Sequence, residues 1–184
     1  MTDAPRTWGD SGLIVPVPEA DPIVGELRLA HDPVAEDGVP AHVTVLFPFV
    51  PRDEIDDALH AQLAHLFGQI AAFGYRFARV ERFGTTTVYL APEPAGAFAA
   101  LTRLVAGRWP EHPPYGGVYD VVVPHLTVGD QLTGGVADDV EQQAASALEQ
   151  HGPLTGRADE VVLMTQGSDG RWSTGGRYPL AAGG

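Results

Sequence analysis

The chain has 184 residues, enough for one domain with a hydrophobic core or for two small lobes that share one. It has no cysteine, which excludes disulfides, a cysteine-ligated zinc and a cysteine nucleophile, and no apolar run of about 20 residues, so we expect no membrane span. The net charge of −13 repels phosphate backbones and therefore argues against tight binding to long nucleic acid.

Residues 1–10 include Asp3 and lack the basic and then apolar pattern of a secretory signal, so we expect a cytoplasmic protein. Every cationic side chain apart from histidine is one of 11 arginines, because the chain contains no lysine. A phosphate site in this protein must therefore use arginine, hydroxyl groups or backbone amides.

Hydrophobic residues at every second position indicate strands, and those at steps of three and four indicate helices. In chain order the patterns predict a strand at 12–17, a helix at 20–29, a loop at 32–40, a strand at 42–50, a helix at 53–73, strands at 75–83 and 86–90, a helix at 94–109, a loop at 111–117, a strand at 121–128, a helix at 138–150, and strands at 161–165 and 172–180. The mixed order favours an α+β fold over a purely parallel sheet.

Two short segments of the chain are similar to each other. Residues 40–45 read Pro-Ala-His-Val-Thr-Val and residues 123–128 read Val-Pro-His-Leu-Thr-Val, and a long predicted helix follows each after a short loop. This repeat predicts two similar lobes within a single domain spanning residues 1–184, each lobe giving one strand to a shared cleft.

Each repeated segment carries a histidine and a threonine two positions apart, His42 with Thr44 and His125 with Thr127. Since successive side chains of a strand point to opposite faces, each pair shares one face, with about 7 Å between its members along the strand. Two such strands facing each other would place two imidazoles and two hydroxyls around one point.

This set of groups suits in-line displacement at phosphorus. A neutral imidazole can accept the proton of the attacking group while a protonated one donates to the leaving oxygen, and the pKa of histidine lies near neutrality. The hydroxyls can hold the non-bridging oxygens. Because proton transfer and hydrogen bonds meet these needs, we expect neither a metal nor another cofactor. One such pair alone is a weak signal, since an ordinary strand histidine explains it equally well.

With both motifs intact, the chain resembles the two-histidine (2H) phosphoesterase superfamily, and within it the bacterial 2′-5′ RNA ligase family. Phe47-Pro48 after the first motif, and the Pro114-Tyr115-Gly116-Gly117 segment before the second, add to the resemblance, which spans roughly residues 13–180. It implies a bilobal α+β fold, with mainly antiparallel sheets facing across a central cleft and helices outside.

The resemblance also implies function. It implies a phosphodiesterase that hydrolyses 2′,3′-cyclic phosphates or 2′-5′ linkages in RNA processing, and it also implies 2′-5′ RNA ligase activity as a second reaction. The family's catalytic motif residues correspond here to His42, Thr44, His125 and Thr127. In relatives that open a cyclic phosphate, the first histidine tends to be the acid, which implies His42 as acid and His125 as base. Because of the acidic charge, we expect a small nucleotide or an RNA end as the partner, and neither a long duplex nor a membrane. We expect the protein to be a monomer.

Aromatic and arginine side chains are the candidates for substrate binding. Trp172 could stack a base while a neighbouring arginine holds phosphate; the alternative is that Trp172 covers the edge of the core and the arginines are solvated. The candidates are Phe47, Tyr115, Arg171, Trp172, Arg177 and Tyr178. His60 and His65 lie five positions apart on a predicted helix, so they do not form a metal pair.

Two rival hypotheses come from other classes. A nucleotide-binding module would keep the same cleft and bind a cyclic nucleotide without turning it over. A structural protein would use the two repeats only for packing, and its two imidazoles would then lie too far apart to contact one phosphate.

Overall fold

The computed structural model describes residues 9–183, so most of the segment read for a signal pattern lies outside the described residues. The strands are β1 (Ser11–Pro16), β2 (His42–Leu46), β3 (Phe73–Phe83), β4 (Thr87–Glu93), β5 (Leu126–Gly129), β6 (Leu154–Ala158), β7 (Glu160–Gln166) and β8 (Trp172–Pro179). The helices are α1 (Asp21–His31), α2 (Pro33–Glu36), α3 (Asp57–Phe67), α4 (Ala95–Arg108) and α5 (Val136–His151). Short 3-10 turns lie at Pro18–Ala20, Arg52–Glu54 and Pro114–Gly117.

The strands form two four-stranded sheets, in which every paired neighbour is antiparallel. The order is β2-β1-β7-β8 in the first sheet and β5-β4-β3-β6 in the second. The first sheet therefore takes its strands from both ends of the described chain, and the second takes its strands from the middle. This is the predicted α+β class with antiparallel sheets.

The helices cross between the two sheets. α1 follows a strand of the first sheet but packs against α5 and β5, whereas α4 follows a strand of the second sheet and packs against β2. One buried cluster accordingly contains residues of both sheets, among them Leu13 and Val43 from the first and Leu90 and Leu126 from the second.

The helix predicted to be the longest is shorter in the structure than the segment that its hydrophobic pattern predicted. α3 begins after Asp56, whose carboxylate accepts a hydrogen bond from the Leu59 N–H at 2.8 Å and so caps the helix. It ends at Gly68, and Phe73 already belongs to β3. The prediction of one helix over 53–73 was therefore wrong at both ends, because the apolar positions beyond Phe67 belong to a turn and a strand.

Other boundaries also differ from the prediction. The strand expected at 121–128 begins only at Leu126, because Pro124 has no N–H for a ladder and Val121 and Val123 are exposed. The strand expected at 42–50 ends at Leu46. The predicted loop at 32–40 contains α2.

Strand β6 was missed by the sequence analysis. Its Gly156 lies under the ring of Tyr75, and a Cβ there would stand 2.6 Å from the ring and its hydroxyl. Glycine is therefore required by the close approach, although it weakens the strand pattern in the sequence.

None of the helices within residues 9–183 is long and apolar enough to cross a lipid bilayer.

Candidate active site

The first motif lies on the edge strand of the first sheet. Val43 and Val45 of β2 are buried in the core, while His42 and Thr44 are half-buried on the other face. The alternation predicted from the sequence is thus present, and the apolar residues anchor the strand while the polar pair faces outward. Ile14 of β1 pairs with Thr44 and extends the same face.

The second motif lies at the start of the edge strand of the second sheet. Leu126 and Val128 are fully buried, and His125 and Thr127 are half-buried on the opposite side. His125 precedes β5 by one residue, and the rings of Phe83 and Tyr89 stand 5.0 and 5.4 Å from its ring centroid. These two aromatic residues, which the sequence analysis did not single out, hold the imidazole from one side.

The two imidazoles are held by equivalent hydrogen bonds, each to a backbone carbonyl. Nδ1 of His42 lies 2.7 Å from the carbonyl oxygen of Pro40, and Nδ1 of His125 lies 2.7 Å from that of Val123, two residues earlier in each case. A carbonyl can only accept, so Nδ1 is the protonated nitrogen in both rings. Nε2 is then left for the substrate, as an acceptor in the neutral ring and as a donor in the charged one.

The two motifs are neighbours in space. β2 and β5 are in contact, and a charge on His125 disfavours a charge on His42. Burial lowers the pKa of His42 to about 4, and it also lowers the pKa of His125 from its ordinary value. The two motifs are therefore close enough in space for their histidines to contribute to one site.

The fixed charges around the two histidines have opposite signs. The guanidinium of Arg28 lowers the pKa of His42 further, whereas the carboxylates of Asp130 and Asp32 raise the pKa of His125 against the effect of burial. These fixed charges thus act on the two pKa values with opposite signs, while burial lowers both pKa values.

Arg28 is another residue near the motifs that the sequence analysis missed. It is 3% exposed, on α1, and forms an ion pair at 2.8 Å with Asp32, which is equally buried. A signal was present, since Arg28 follows the buried Val24 by four positions and so continues the buried stripe of the helix.

Tyr115 lies against the first motif. Its N–H donates to the carbonyl of Phe47 at 2.6 Å, and its phenol lies close enough to the Thr44 hydroxyl for that hydroxyl to lower the phenol pKa. Burial raises the pKa of the phenol, which therefore stays protonated near neutral pH. The structure thus brings two of the six predicted substrate-binding residues beside Thr44.

Trp172 belongs to the same face. Its ring meets the ring of Phe47 edge to face at 6.0 Å and packs on a small apolar cluster of Ile14, Val162 and Met164. Because Ile14 pairs with Thr44, this apolar surface adjoins the first motif. Trp172 therefore covers a separate cluster on the motif face rather than the edge of the main core.

The three remaining candidates each have another partner in the structure. Arg171 donates to the carbonyl of Glu36 at 2.9 Å, and Arg177 forms an ion pair at 2.5 Å with Glu160 on β7. Tyr178 is 3% exposed, and its hydroxyl lies 2.7 Å from Nδ1 of His60 on α3.

The prediction that Tyr178 binds substrate was wrong, because its side chain is in the core. In a regular strand Tyr178 would share the face of Trp172. A register shift between the pairs Leu163–Gly176 and Met164–Thr174 reverses the alternation, so Tyr178 turns inward and Arg177 outward.

Within residues 9–183, no group of three or more histidine and acidic side chains is placed to hold a metal ion.

Comparison with known proteins relates this chain to one family and one fold. The family model of the 2′-5′ RNA ligase superfamily matches residues 16–170. No curated protein matches the chain in sequence. E. coli LigT complexed with NADP+ is 16% identical, with a TM-score of 0.58 over 95% of this chain and 98% of LigT. LigT complexed with 3′-AMP is 15% identical, with a TM-score of 0.59 over 94% of this chain and 98% of LigT. TT0787 of Thermus thermophilus is 18% identical, with a TM-score of 0.56 and coverage of 94% and 98%. At these identities the solved structures show a shared fold.

Proposed function

The chain belongs to the 2′-5′ RNA ligase superfamily, and we propose that it is a metal-independent phosphoesterase acting on a nucleoside 2′,3′-cyclic phosphate or a 2′-5′-linked oligonucleotide. The observation that carries this proposal is the pair of matched imidazoles, each fixed through Nδ1 to the carbonyl two residues before it. That contact sets the tautomer of both rings and leaves both Nε2 atoms for proton transfer.

The reaction follows from this pair. One imidazole is neutral and accepts a proton from water as the water oxygen bonds to phosphorus. The other is protonated and gives its proton to the ribose oxygen as the P–O bond breaks. The ring-opened product keeps one phosphate monoester, and a 2′-5′ linkage yields a free 5′ or 2′ hydroxyl in the same way. One histidine gains a proton and the other loses one, so the total charge of the pair is unchanged, and exchange with solvent then restores each ring to its starting protonation state.

The threonines have the supporting role. Thr44 and Thr127 lie two positions after the histidines, on the same faces, so their hydroxyls are suited to donate to the non-bridging phosphate oxygens as charge grows there.

A nucleoside substrate fits the surface beside the first motif. The rings of Phe47 and Trp172 and the apolar cluster of Ile14, Val162 and Met164 offer a base a face to stack on. Two of the structures with the same fold are complexes with NADP+ and with 3′-AMP, and both ligands are nucleotides. We therefore propose a single nucleotide or an RNA end as the partner of this surface.

The same chemistry with a 5′ hydroxyl in place of water would join that hydroxyl to a 2′,3′-cyclic phosphate end, because the 5′ oxygen bonds to phosphorus as the P–O3′ bond breaks, which is 2′-5′ RNA ligation. We place this second to hydrolysis, because the net charge of −13 disfavours holding two long RNA ends. A cytoplasmic monomer without a bound cofactor remains our prediction for the working protein.

The test is turnover of the four nucleoside 2′,3′-cyclic phosphates and of 2′-5′ and 3′-5′ dinucleotides, in EDTA, with the product isomers identified by NMR. We expect turnover of at least one cyclic phosphate or 2′-5′ dinucleotide, no turnover of the 3′-5′ dinucleotide, and rates that EDTA does not change. A rate abolished by EDTA would overturn the metal-independent mechanism.

Binding without turnover is the alternative. If 3′-AMP binds while no member of the panel is consumed at any pH between 4 and 9, the chain is a nucleotide-binding module rather than an enzyme. The lowered pKa values give this alternative its physical basis, since two neutral imidazoles provide no proton donor.

A further inference from the structure

Residues 115–123, which we call the bridging segment, connect the two motifs. At its start the Tyr115 phenol lies beside the Thr44 hydroxyl of the first motif. At its end the carbonyl of Val123 holds Nδ1 of His125 at 2.7 Å. Both ends of the bridging segment are therefore fixed at the candidate active site, and the residues between them lie close to it.

The bridging segment exposes large hydrophobic side chains to solvent. They are Val118, Tyr119, Val121 and Val123, four of the seven such side chains that are exposed within residues 9–183, and Tyr119 is 61% exposed. Isolated exposed apolar side chains are ordinary, whereas a group of them on one short segment indicates a surface that contacts a ligand or another molecule.

The turn at the start of the segment places Tyr119 against Tyr115. Tyr115 has φ of 52° and ψ of 33°, a left-handed backbone conformation that tyrosine rarely adopts. Such strain persists only where surrounding contacts hold the residue, and it is concentrated at functional sites. In this conformation the Tyr115 ring meets the Tyr119 ring edge to face, with the centroids 5.7 Å apart. The first motif is thus adjoined by an aromatic pair that ends in an exposed ring.

Phe47 joins this pair to the aromatic surface described above. Its carbonyl accepts the hydrogen bond from the Tyr115 N–H at 2.6 Å, and its ring meets the Trp172 ring at 6.0 Å. The Phe47 ring is able to lie over β1 because residue 12 is glycine, where a Cβ would stand 3.0 Å from the ring. The structure therefore offers two aromatic surfaces connected through one residue, one at Trp172 and one at Tyr119.

These two surfaces match the chemistry of a diester. A phosphodiester between nucleotides carries a nucleoside on each side of phosphorus, whereas a nucleoside 2′,3′-cyclic phosphate carries only one. Stacking of a base on an aromatic ring provides affinity without charge. That source of affinity suits a chain with a net charge of −13, which as a whole repels phosphate.

We propose that Tyr119 is the stacking surface for the second nucleoside of a 2′-5′-linked substrate, while the Trp172 surface takes the first nucleoside. This inference rests on the proposed function, and it names a diester with two nucleosides as the substrate that uses the whole site.

The first measurement is kcat/KM on adenylyl-2′,5′-adenosine and on adenosine 2′,3′-cyclic phosphate, for wild type, Tyr119→Ala and Tyr119→Phe. We expect Tyr119→Ala to lower kcat/KM about 10-fold on the dinucleotide, because one base loses its stacking partner. The loss on the cyclic phosphate should be much smaller, since that substrate has no second nucleoside. Tyr119→Phe should lose less than Tyr119→Ala, because the ring is kept.

Leu104→Ala is the matched control. Leu104 is also an exposed hydrophobic side chain, but it lies on α4. Its substitution should change the rate on neither substrate, and circular dichroism should show the wild-type fold for every variant.

The second measurement is binding, which needs no turnover. His42→Ala/His125→Ala, with and without Tyr119→Ala, is titrated by calorimetry with adenylyl-2′,5′-adenosine and with the methyl ester of adenosine 2′-phosphate. Both ligands carry one diester charge, and a methyl group replaces the second nucleoside in the ester. We expect the dinucleotide to bind about 10-fold more tightly than the ester, and Tyr119→Ala to remove that difference.

Three results would overturn the proposal: an unchanged rate of Tyr119→Ala on the dinucleotide, an equal loss on both substrates, or equal binding of the two ligands while Tyr119 is present. A dimer in sedimentation that Tyr119→Ala dissociates would also overturn it, because the exposed side chains would then form a contact between two copies of the chain. If the wild type consumes only one of the substrates, the binding comparison decides. If it consumes neither, the proposed function fails, while the binding comparison still shows whether Tyr119 holds a second nucleoside.

Discussion

At the scale of single residues, the proposed activity depends on the protonation of two imidazoles. Turnover requires one of them neutral and the other protonated. Above the pKa of both there is no proton donor, and below the pKa of both there is no acceptor. Since burial lowers the pKa of His42 to about 4 and also lowers that of His125, the active form is most populated on the acid side of the ordinary histidine value.

We therefore predict a bell-shaped profile of kcat/KM with its maximum on the acid side of about pH 6.5, the ordinary histidine pKa, and a steady fall from there as the pH rises. Bound substrate carries negative charge and stabilises the protonated rings, so the kcat profile should lie at higher pH. The measurement is steady-state kinetics from mildly acid to mildly alkaline pH, with circular dichroism at each pH to confirm the fold. A kcat/KM that rises through neutrality would contradict the lowered pKa values.

The sequence makes the four motif residues visible, because a strand repeats every second residue and the apolar partners Val43, Val45, Leu126 and Val128 mark the buried face. It does not indicate that Arg28 contacts both motif regions, since two of its hydrogen-bond partners are backbone carbonyls 11 and 99 positions away. It also misplaces Tyr178, because a register shift inside a strand leaves no trace in the hydrophobic pattern beyond the neighbouring glycines Gly175 and Gly176.

At the scale of elements, the 3-10 turn at Pro114–Gly117 determines where Tyr115 meets the first motif. The backbone is left-handed at three successive residues, with φ of 52° at Tyr115, 64° at Gly116 and 74° at Gly117. This region costs residues other than glycine free energy. A Cβ on Gly116 would meet no atom within 4 Å, so a substitution there changes the backbone preference without a clash.

We predict that Gly116→Ala lowers the free energy of unfolding by about 1 kcal/mol and also lowers kcat/KM. The rate falls because relaxation of the turn withdraws the Tyr115 phenol from Thr44. Chemical denaturation and steady-state kinetics measure the two effects. A substitution that left both unchanged would mean that the turn does not position Tyr115.

Gly107→Ala is the matched control for this prediction. Gly107 lies in α4, without a positive φ and with open space around its Cα. Alanine should stabilise the helix there by about 0.5 kcal/mol and leave the rate unchanged.

At the scale of the whole molecule, the two sheets share one core. Leu163 in the first sheet and Leu90 in the second are both fully buried in the same cluster, and the helices cross from one sheet to the other. A chain arranged in this way has no boundary at which one lobe could unfold alone.

We predict that Leu163→Ala and Leu90→Ala each lower the free energy of unfolding by about 2–5 kcal/mol and shift one common transition. Circular dichroism and tryptophan fluorescence should give the same midpoint in each variant. Leu29→Ala, at a side chain that is 65% exposed, should change the midpoint little. Two separate transitions would show that the lobes are independent units.

At this scale the mixed order of helices and strands predicted the α+β class, and the family resemblance implied the antiparallel sheets. The sequence analysis did not predict which strands belong to which sheet. β7 pairs with β1 from the opposite end of the described chain, and the interruption of β6 by Gly156 removed the local signal for that strand. Long-range pairing of this kind depends on tertiary contacts that local periodicity does not report.

The most direct test of the central claim compares His42→Ala, His125→Ala and the double variant with His65→Ala, on a substrate that the wild type consumes. His65 is exposed on α3 and serves as the control. We predict that each motif substitution lowers kcat by about 100- to 10,000-fold, that the double variant loses little more than the worse single one, and that His65→Ala keeps the wild-type rate. A wild-type rate in either motif variant would contradict the account, because the two imidazoles could not then be the proton donor and acceptor of the reaction.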